Sequence, residues 1–339
     1  MQLALASLWS CTTPSRKQEL VEKNAGAPTP SYSQIESDSG PLMPEPGPYA
    51  SEDQVAEVGT ESGLILIFGP GWARAWSAAG VLMEIAETET PIQKIYASEM
   101  SAVISVLFAA DPRPSAFSWN LQRLKDECLE PNLSPFRRLM EKDLVDPQCL
   151  RGFLKAELKS KRFEDLKIPV EISVPQRGRT NFVDLRQTLD WASQGAVTEE
   201  LMSSVSFPGL IQGKTPISGA RALCSALCAD GAEVFPVRHI KSLEDAKIVV
   251  LDLGENVSFG TQTRDKKTVL QAYEERLRAL SEEARPELEH ADVLLRISSP
   301  VSQSFEPKQK NEFLFLGRSA ARNQMEKWQT KTQVQGRGD

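Results

Sequence analysis

The chain has 339 residues, 40% of them hydrophobic and 25% charged, which is apolar content enough for one large or two ordinary domains. This excludes a wholly disordered chain, a collagen and a disulfide-bonded mini-scaffold, and no apolar run approaches the roughly 18 residues of a spanning helix. The net charge of −7 is concentrated in residues 1–61, so the remainder is nearly neutral, lacks a basic block and gives no electrostatic case for nucleic-acid binding.

The first ten residues are a short apolar stretch directly before Cys11. The Leu8-Trp9-Ser10-Cys11 ending resembles the lipobox of bacterial lipoproteins, which makes Cys11 a candidate lipidation site and residues 1–11 a candidate signal. Trp9 is bulkier than that box prefers, and no Lys or Arg precedes the apolar stretch. The competing reading is a frayed N-terminus without a role. Residues 12–61 are rich in Pro, Ser, Gly and Glu, contain no Phe and show no hydrophobic periodicity, the composition of a disordered acidic tether. A lipidated Cys11 implies a membrane tether in the bacterial cell envelope; otherwise the chain is expected in the cytoplasm.

From Gly63 the pattern changes. Leu64–Phe68 is a continuous apolar run of strand length, followed by the turn-like Gly69-Pro70-Gly71. A helical pattern then carries Trp76, Ala79, Val81, Leu82, Ile85 and Ala86. Ile92–Ala97 reads as a second strand and Met100–Ala110 as an apolar helix. Residues 112–165 read as charged helices and loops capping the sheet. Further strands are expected at Pro169–Val174 and Lys247–Leu253, the second with the composition of a strand buried on both faces. Ala320–Trp328 reads as an amphipathic helix docked on its own domain, with 331–339 as a disordered tail. Alternating strands and helices imply a three-layer α/β/α sandwich with a mostly parallel sheet, spanning about 62–330.

Five cysteines, at 11, 128, 149, 224 and 228, lack the spacing of a zinc or C-x-x-C redox site, and the last four read as small buried apolar residues. Only two histidines exist, His239 and His290, which excludes a multi-histidine metal centre. Neither a metal nor a cofactor is expected. The third glycine of a dinucleotide-binding loop is Arg74 here, which argues against a nucleotide site.

Several motifs in order resemble those of the patatin-like phospholipase family, particularly its bacterial members. Gly69-Pro70-Gly71-Trp72-Ala73-Arg74-Ala75 and then Gly80-Val81-Leu82 are similar to the family's glycine-rich loop and first helix. Ala97-Ser98-Glu99-Met100-Ser101-Ala102 is similar to the nucleophile turn. Ser203–Gly209, Asp230-Gly231-Ala232 and Pro236-Val237 follow, and Leu316-Gly317 closes the set. The resemblance implies a serine–aspartate dyad on a strained turn, with loop N–H groups stabilising the oxyanion.

Matched residue by residue, the nucleophile position holds Glu99, and Asp230 occupies the dyad aspartate position. In the loop, Pro70 has no N–H to donate and Trp72 puts an indole where the family has glycine. Glu99 has three readings: a helix N-terminal carboxylate without a chemical role, a ligand-binding carboxylate, or a poor nucleophile. Ser98 and Ser101 are candidate substitute nucleophiles, each off the apex of the turn. Arg74 either anchors the loop or pairs with Glu99. If the dyad positions face one another, Glu99 and Asp230 approach and the pKa of one of them rises. The resulting expectation is a catalytically inactive member binding a lipid or acyl ligand, or an unidentified protein partner. The alternative is an active lipid acyl hydrolase with a non-standard nucleophile.

Overall fold

The computed structural model describes residues 63–132, 134, 143–176, 189–212, 224–254, 268–297 and 307–335. Cys11, the signal and the tether lie outside them. Six strands, β1 (Leu64–Phe68), β2 (Ile92–Ala97), β3 (Val170–Pro175), β4 (Leu189–Ala192), β5 (Lys247–Asp252) and β6 (Val293–Arg296), form one sheet in the order β4-β3-β2-β1-β5-β6. Every pairing is parallel except β3 with β4. β1 lies centrally with all five residues buried, which is why its sequence is unbroken apolar rather than alternating.

The main helices are α1 (Trp76–Glu87), α2 (Glu99–Ala110), α3 (Pro114–Arg123), α4 (Pro147–Leu158), α5 (Val197–Ser204), α6 (Gly231–Val234), α7 (Val237–Leu243), α8 (Thr268–Leu288) and α9 (Lys310–Gln335). The steps β1–α1–β2 and β2–α2–β3 run one way along the sheet, and β5–α8–β6 runs the other way. Right-handed crossovers therefore lay α1 and α2 on one face and α8 on the opposite face, giving the three layers. The capping segment is helical, with α3 burying Phe117 and Leu121 and α4 burying Leu150, Leu154 and Leu158 at intervals of about one turn. Among the described residues no helix is long and apolar enough to cross a membrane.

Helix α9 packs directly on α1. A Cβ on Gly80 would run into the Leu314 carbonyl oxygen, and one on Gly317 into that of Ser77, so the two backbones approach as only glycines permit. Arg322 clasps Glu84 with Nε and Nη2 at 2.8 and 3.0 Å, and Arg318 adds a 3.3 Å contact. The helix runs to Gln335, further than the sequence pattern indicated.

The cysteines differ from expectation. Cys128 bridges Cys149 and Cys224 bridges Cys228, so these four are disulfide partners rather than free apolar residues. Spacing alone concealed this, because the first pair spans 21 residues and meets only when α4 folds back.

Candidate active site

The parallel strands deliver their C-terminal ends to one edge of the sheet, the place where such folds build sites. β1 ends into Gly69-Pro70-Gly71 and a 3-10 turn, Trp72–Ala75. Beside it β2 ends at Ala97, Ser98 is extended, and Glu99 opens α2. Glu99 has φ of 56°, in the left-handed region, so the strained strand-to-helix turn persists although a carboxylate stands at its apex. Trp72 is also left-handed, with φ of 45°, at a position where the family resemblance calls for glycine. Such a conformation costs a residue with a Cβ roughly 1–2 kcal/mol.

Glu99 is buried, and its side chain turns back into the loop. One carboxylate oxygen accepts the backbone N–H of Gly71 at 2.8 Å and of Trp72 at 3.0 Å. The hydroxyl of Tyr273, from α8, lies 2.7 and 2.6 Å from the two carboxylate oxygens. The Glu99 backbone N–H donates to Ser204 Oγ at 3.0 Å, which ties the turn to the end of α5. Burial pushes the Glu99 carboxyl above its usual range, opposed by the donors from Tyr273, Trp72 and Gly71. Burial and the facing carboxylate push the Tyr273 phenol well above its ordinary value. Tyr273 therefore remains a proton donor.

Pro70 supplies no N–H, as expected, but the donors of Gly71 and Trp72 converge on a single oxygen. Both donors are occupied by the carboxyl group. Gly69 and Gly71 are required by contact: a Cβ on the first would strike the Phe235 ring and on the second the Leu253 side chain. The Trp72 indole is fully buried, donates from Nε1 to the Leu129 carbonyl at 3.0 Å, and meets Tyr273 edge-on at 6.5 Å. Phe207 packs edge-on against the other side of Tyr273 at 5.4 Å. Aromatic rings thus fill the space around the carboxylate.

Arg74 anchors rather than pairs with Glu99. Its Nη1 donates to the Leu253 carbonyl at 2.5 Å, while Glu274 and Asp252 supply its electrostatic attraction against a downward pull from burial. Asp230 is the N-cap of α6, its carboxylate accepting from Ala232 N–H at 3.0 Å, and is not a hydrogen-bond partner of Glu99. Its turn rests on α8, with Gly231 against Ala284 and the Ala229 carbonyl accepting from Arg276, three residues beyond Tyr273. The upward shift at Glu99 accordingly has burial as its main cause and not Asp230.

The two spare serines are engaged within the core. Ser101 Oγ donates to the Gly69 carbonyl at 2.7 Å, and Ser98 Oγ accepts from Ser173 Oγ at 2.8 Å. Both are fully buried, and both histidines lie on exposed surfaces. Among the described residues no group of three His, Cys, Asp or Glu could hold a metal ion. Sequence reasoning missed Tyr273 and Ser204. Ser204 lay inside a motif already singled out, but Tyr273 sits on an ordinary amphipathic helix and gave no signal.

The family model described as patatin-like phospholipase matches residues 66–239, just over half of the chain. No curated protein matches the sequence. Among solved structures, the chain is similar to the type III effector ExoU, crystallised also with SpcU from Pseudomonas aeruginosa, at 11% identity and a TM-score of 0.38, covering 78% of this chain and 53% of that one. It is likewise similar to VipD from Legionella pneumophila at 10% identity and a TM-score of 0.38, covering 78% and 66%. The chain thus spans about half the length of the first and about two thirds of the second. With a family model matched over residues 66–239, more than half of its length, the chain belongs to the patatin-like phospholipase family.

Proposed function

We propose that this chain is a catalytically inert member of its family, working as a lipid- or acyl-ligand-binding or interaction module. One observation carries the reading: the Glu99 carboxylate accepts the N–H groups of Gly71 and Trp72 and the hydroxyl of Tyr273. Those backbone donors are the ones that a carbonyl oxygen would need as charge develops on it in acyl transfer. Here an internal carboxyl group takes them, so a substrate carbonyl must displace a buried side chain to reach them. Among the described residues, Ser98 and Ser101 have no histidine or carboxylate as a hydrogen-bond partner to activate them.

The envelope reading belongs to the same proposal. Two disulfides in the folded domain support an oxidising compartment, as expected for a chain exported and tethered through Cys11. Metabolic labelling with a palmitate analogue, comparing wild type with Cys11→Ser, tests the tether, and equal labelling of both would sink it.

The inert reading is tested with a fluorophosphonate probe and a short-chain chromogenic ester on the full chain. No labelling and no turnover above buffer are expected. Labelling mapped to Ser98 or Ser101, or turnover abolished by their replacement, would overturn the reading and favour an active hydrolase.

A further inference from the structure

A second cavity, of about 500 Å³, lies between the start of α9, the end of α3 and the 3-10 turn Asp126–Cys128. It shares no lining residue with the Glu99 site, and its volume is in the range of small-ligand pockets. Its floor is apolar: Trp76, Leu121, Leu124 and Leu314. Lys310 crosses it, 5.2 Å from the Trp76 ring centroid, donating to the Leu124 carbonyl at 3.1 Å and ion-paired with Asp126. That pair is internally neutral.

Two further charges stand on the rim. Lys125 and Glu127 are exposed, two residues apart on the same turn, and neither side chain makes an ion pair or hydrogen bond with a described residue. Beside the rim, Trp119 is 63% exposed and Phe315 is 66% exposed. Trp119 lies one turn before Gln122 and Phe315 one turn beyond Asn311, both rim residues, so each flanks the mouth. Two of the three large hydrophobic side chains exposed among the described residues therefore border this one opening.

We propose that this cleft binds a single-chain zwitterionic amphiphile, its chain on the apolar floor and its opposite head-group charges against Lys125 and Glu127. The proposal deepens the binding-module reading and rests on it for biological sense. Among the described residues the rim is net neutral with one free charge of each sign, which complements a head group that carries both. An anionic amphiphile would meet Glu127 unfavourably, and an uncharged one would leave both rim charges unused. The exposed aromatics extend the apolar path outward, where an arriving chain makes first contact.

The test is calorimetric titration of the full chain with dodecylphosphocholine below its micellar concentration, with the intrinsic tryptophan fluorescence change compared with that of a Trp76→Phe variant. One site per chain is expected, with dodecanoate and dodecyl maltoside at least tenfold weaker. Lys125→Glu should weaken binding about fivefold or more, and the double exchange Lys125→Glu/Glu127→Lys should restore most of it. These are exposed positions, so the fold is retained. Equal affinity for all three amphiphiles, indifference to the rim variants, or association only with phosphatidylcholine vesicles would each overturn the proposal. The probe contains no carboxylic ester, so its failure leaves the inert-site reading standing, and hydrolysis at the Glu99 site would leave the cleft standing.

Discussion

The phenolic hydroxyl of Tyr273 sits between the two oxygens of the Glu99 carboxylate, at 2.7 and 2.6 Å, and joins α8 to the turn that opens α2. Among the described residues no cation pairs with this buried carboxyl, so hydrogen bonds compensate its desolvation. Tyr273→Phe keeps the ring between Trp72 and Phe207 but removes a donor from a buried carboxylate. The expected loss is about 1–3 kcal/mol, measured by urea unfolding. A loss near zero would mean that the hydroxyl contributes nothing to holding the carboxylate in place.

The pH dependence of that contact has a definite sign. Burial raises the folded-state pKa of Glu99 above the ordinary value of 4.5. Its contribution to stability is therefore full below the unfolded pKa and declines as pH rises through the raised folded value. Glu99→Gln, which keeps an oxygen for Gly71 and Trp72, removes this dependence. Subtracting the two stability profiles should give a difference that falls with rising pH above about 4.5. Glu84 acts in the opposite sense: its hydrogen bonds to Arg322 and Arg318 hold it below the ordinary range. The α1–α9 clasp is thus present above about pH 4.5 and is lost as pH falls through the lowered folded value.

Glu99→Ser should release the Gly71 and Trp72 donors yet produce no useful ester hydrolysis. The serine would have an oxyanion site but no base, because the Asp230 carboxylate is engaged in capping the Ala232 N–H. A missing general base costs about a hundred- to ten-thousandfold. Loop replacements such as Trp72→Gly should not rescue it, since the donors already converge. Robust turnover by the single variant, measured with a chromogenic ester, would show that Asp230 reaches position 99 in solution.

Gly317→Ala should destabilise by roughly 1–3 kcal/mol or more, because α9 must lift off α1 to clear the Ser77 carbonyl. Gly152→Ala, in α4 with open space around it, is the control and should be neutral or slightly stabilising. Thermal melts of the two variants give the comparison.

Much of the frame was legible because burial writes itself into composition. β1 and β2 matched their apolar runs to the residue, and β5 ended one residue short of its run. β4 and β6 escaped notice, being four residues each with no pattern long enough to read. At the site, the glutamate at position 99 and the tryptophan at position 72 were visible as residue types. The rescue of the buried carboxylate was not, because Tyr273 reaches it across 174 positions of sequence. The disulfides were hidden for a related reason: pairing depends on which turns the fold brings together, and spacing does not record it.

The carbonyl that holds the Trp72 indole belongs to Leu129, the residue after bridged Cys128. A covalent stay therefore runs from α4 through Cys149 and Cys128 to within one peptide of the plug. Its far end is a hydrogen bond to the ring whose own backbone N–H grips Glu99. Cutting the bridge slackens this bracing without touching the aromatic or acidic groups themselves. The hold that this loop has on Glu99 and Trp72 is thus indexed to the thiol chemistry of its surroundings.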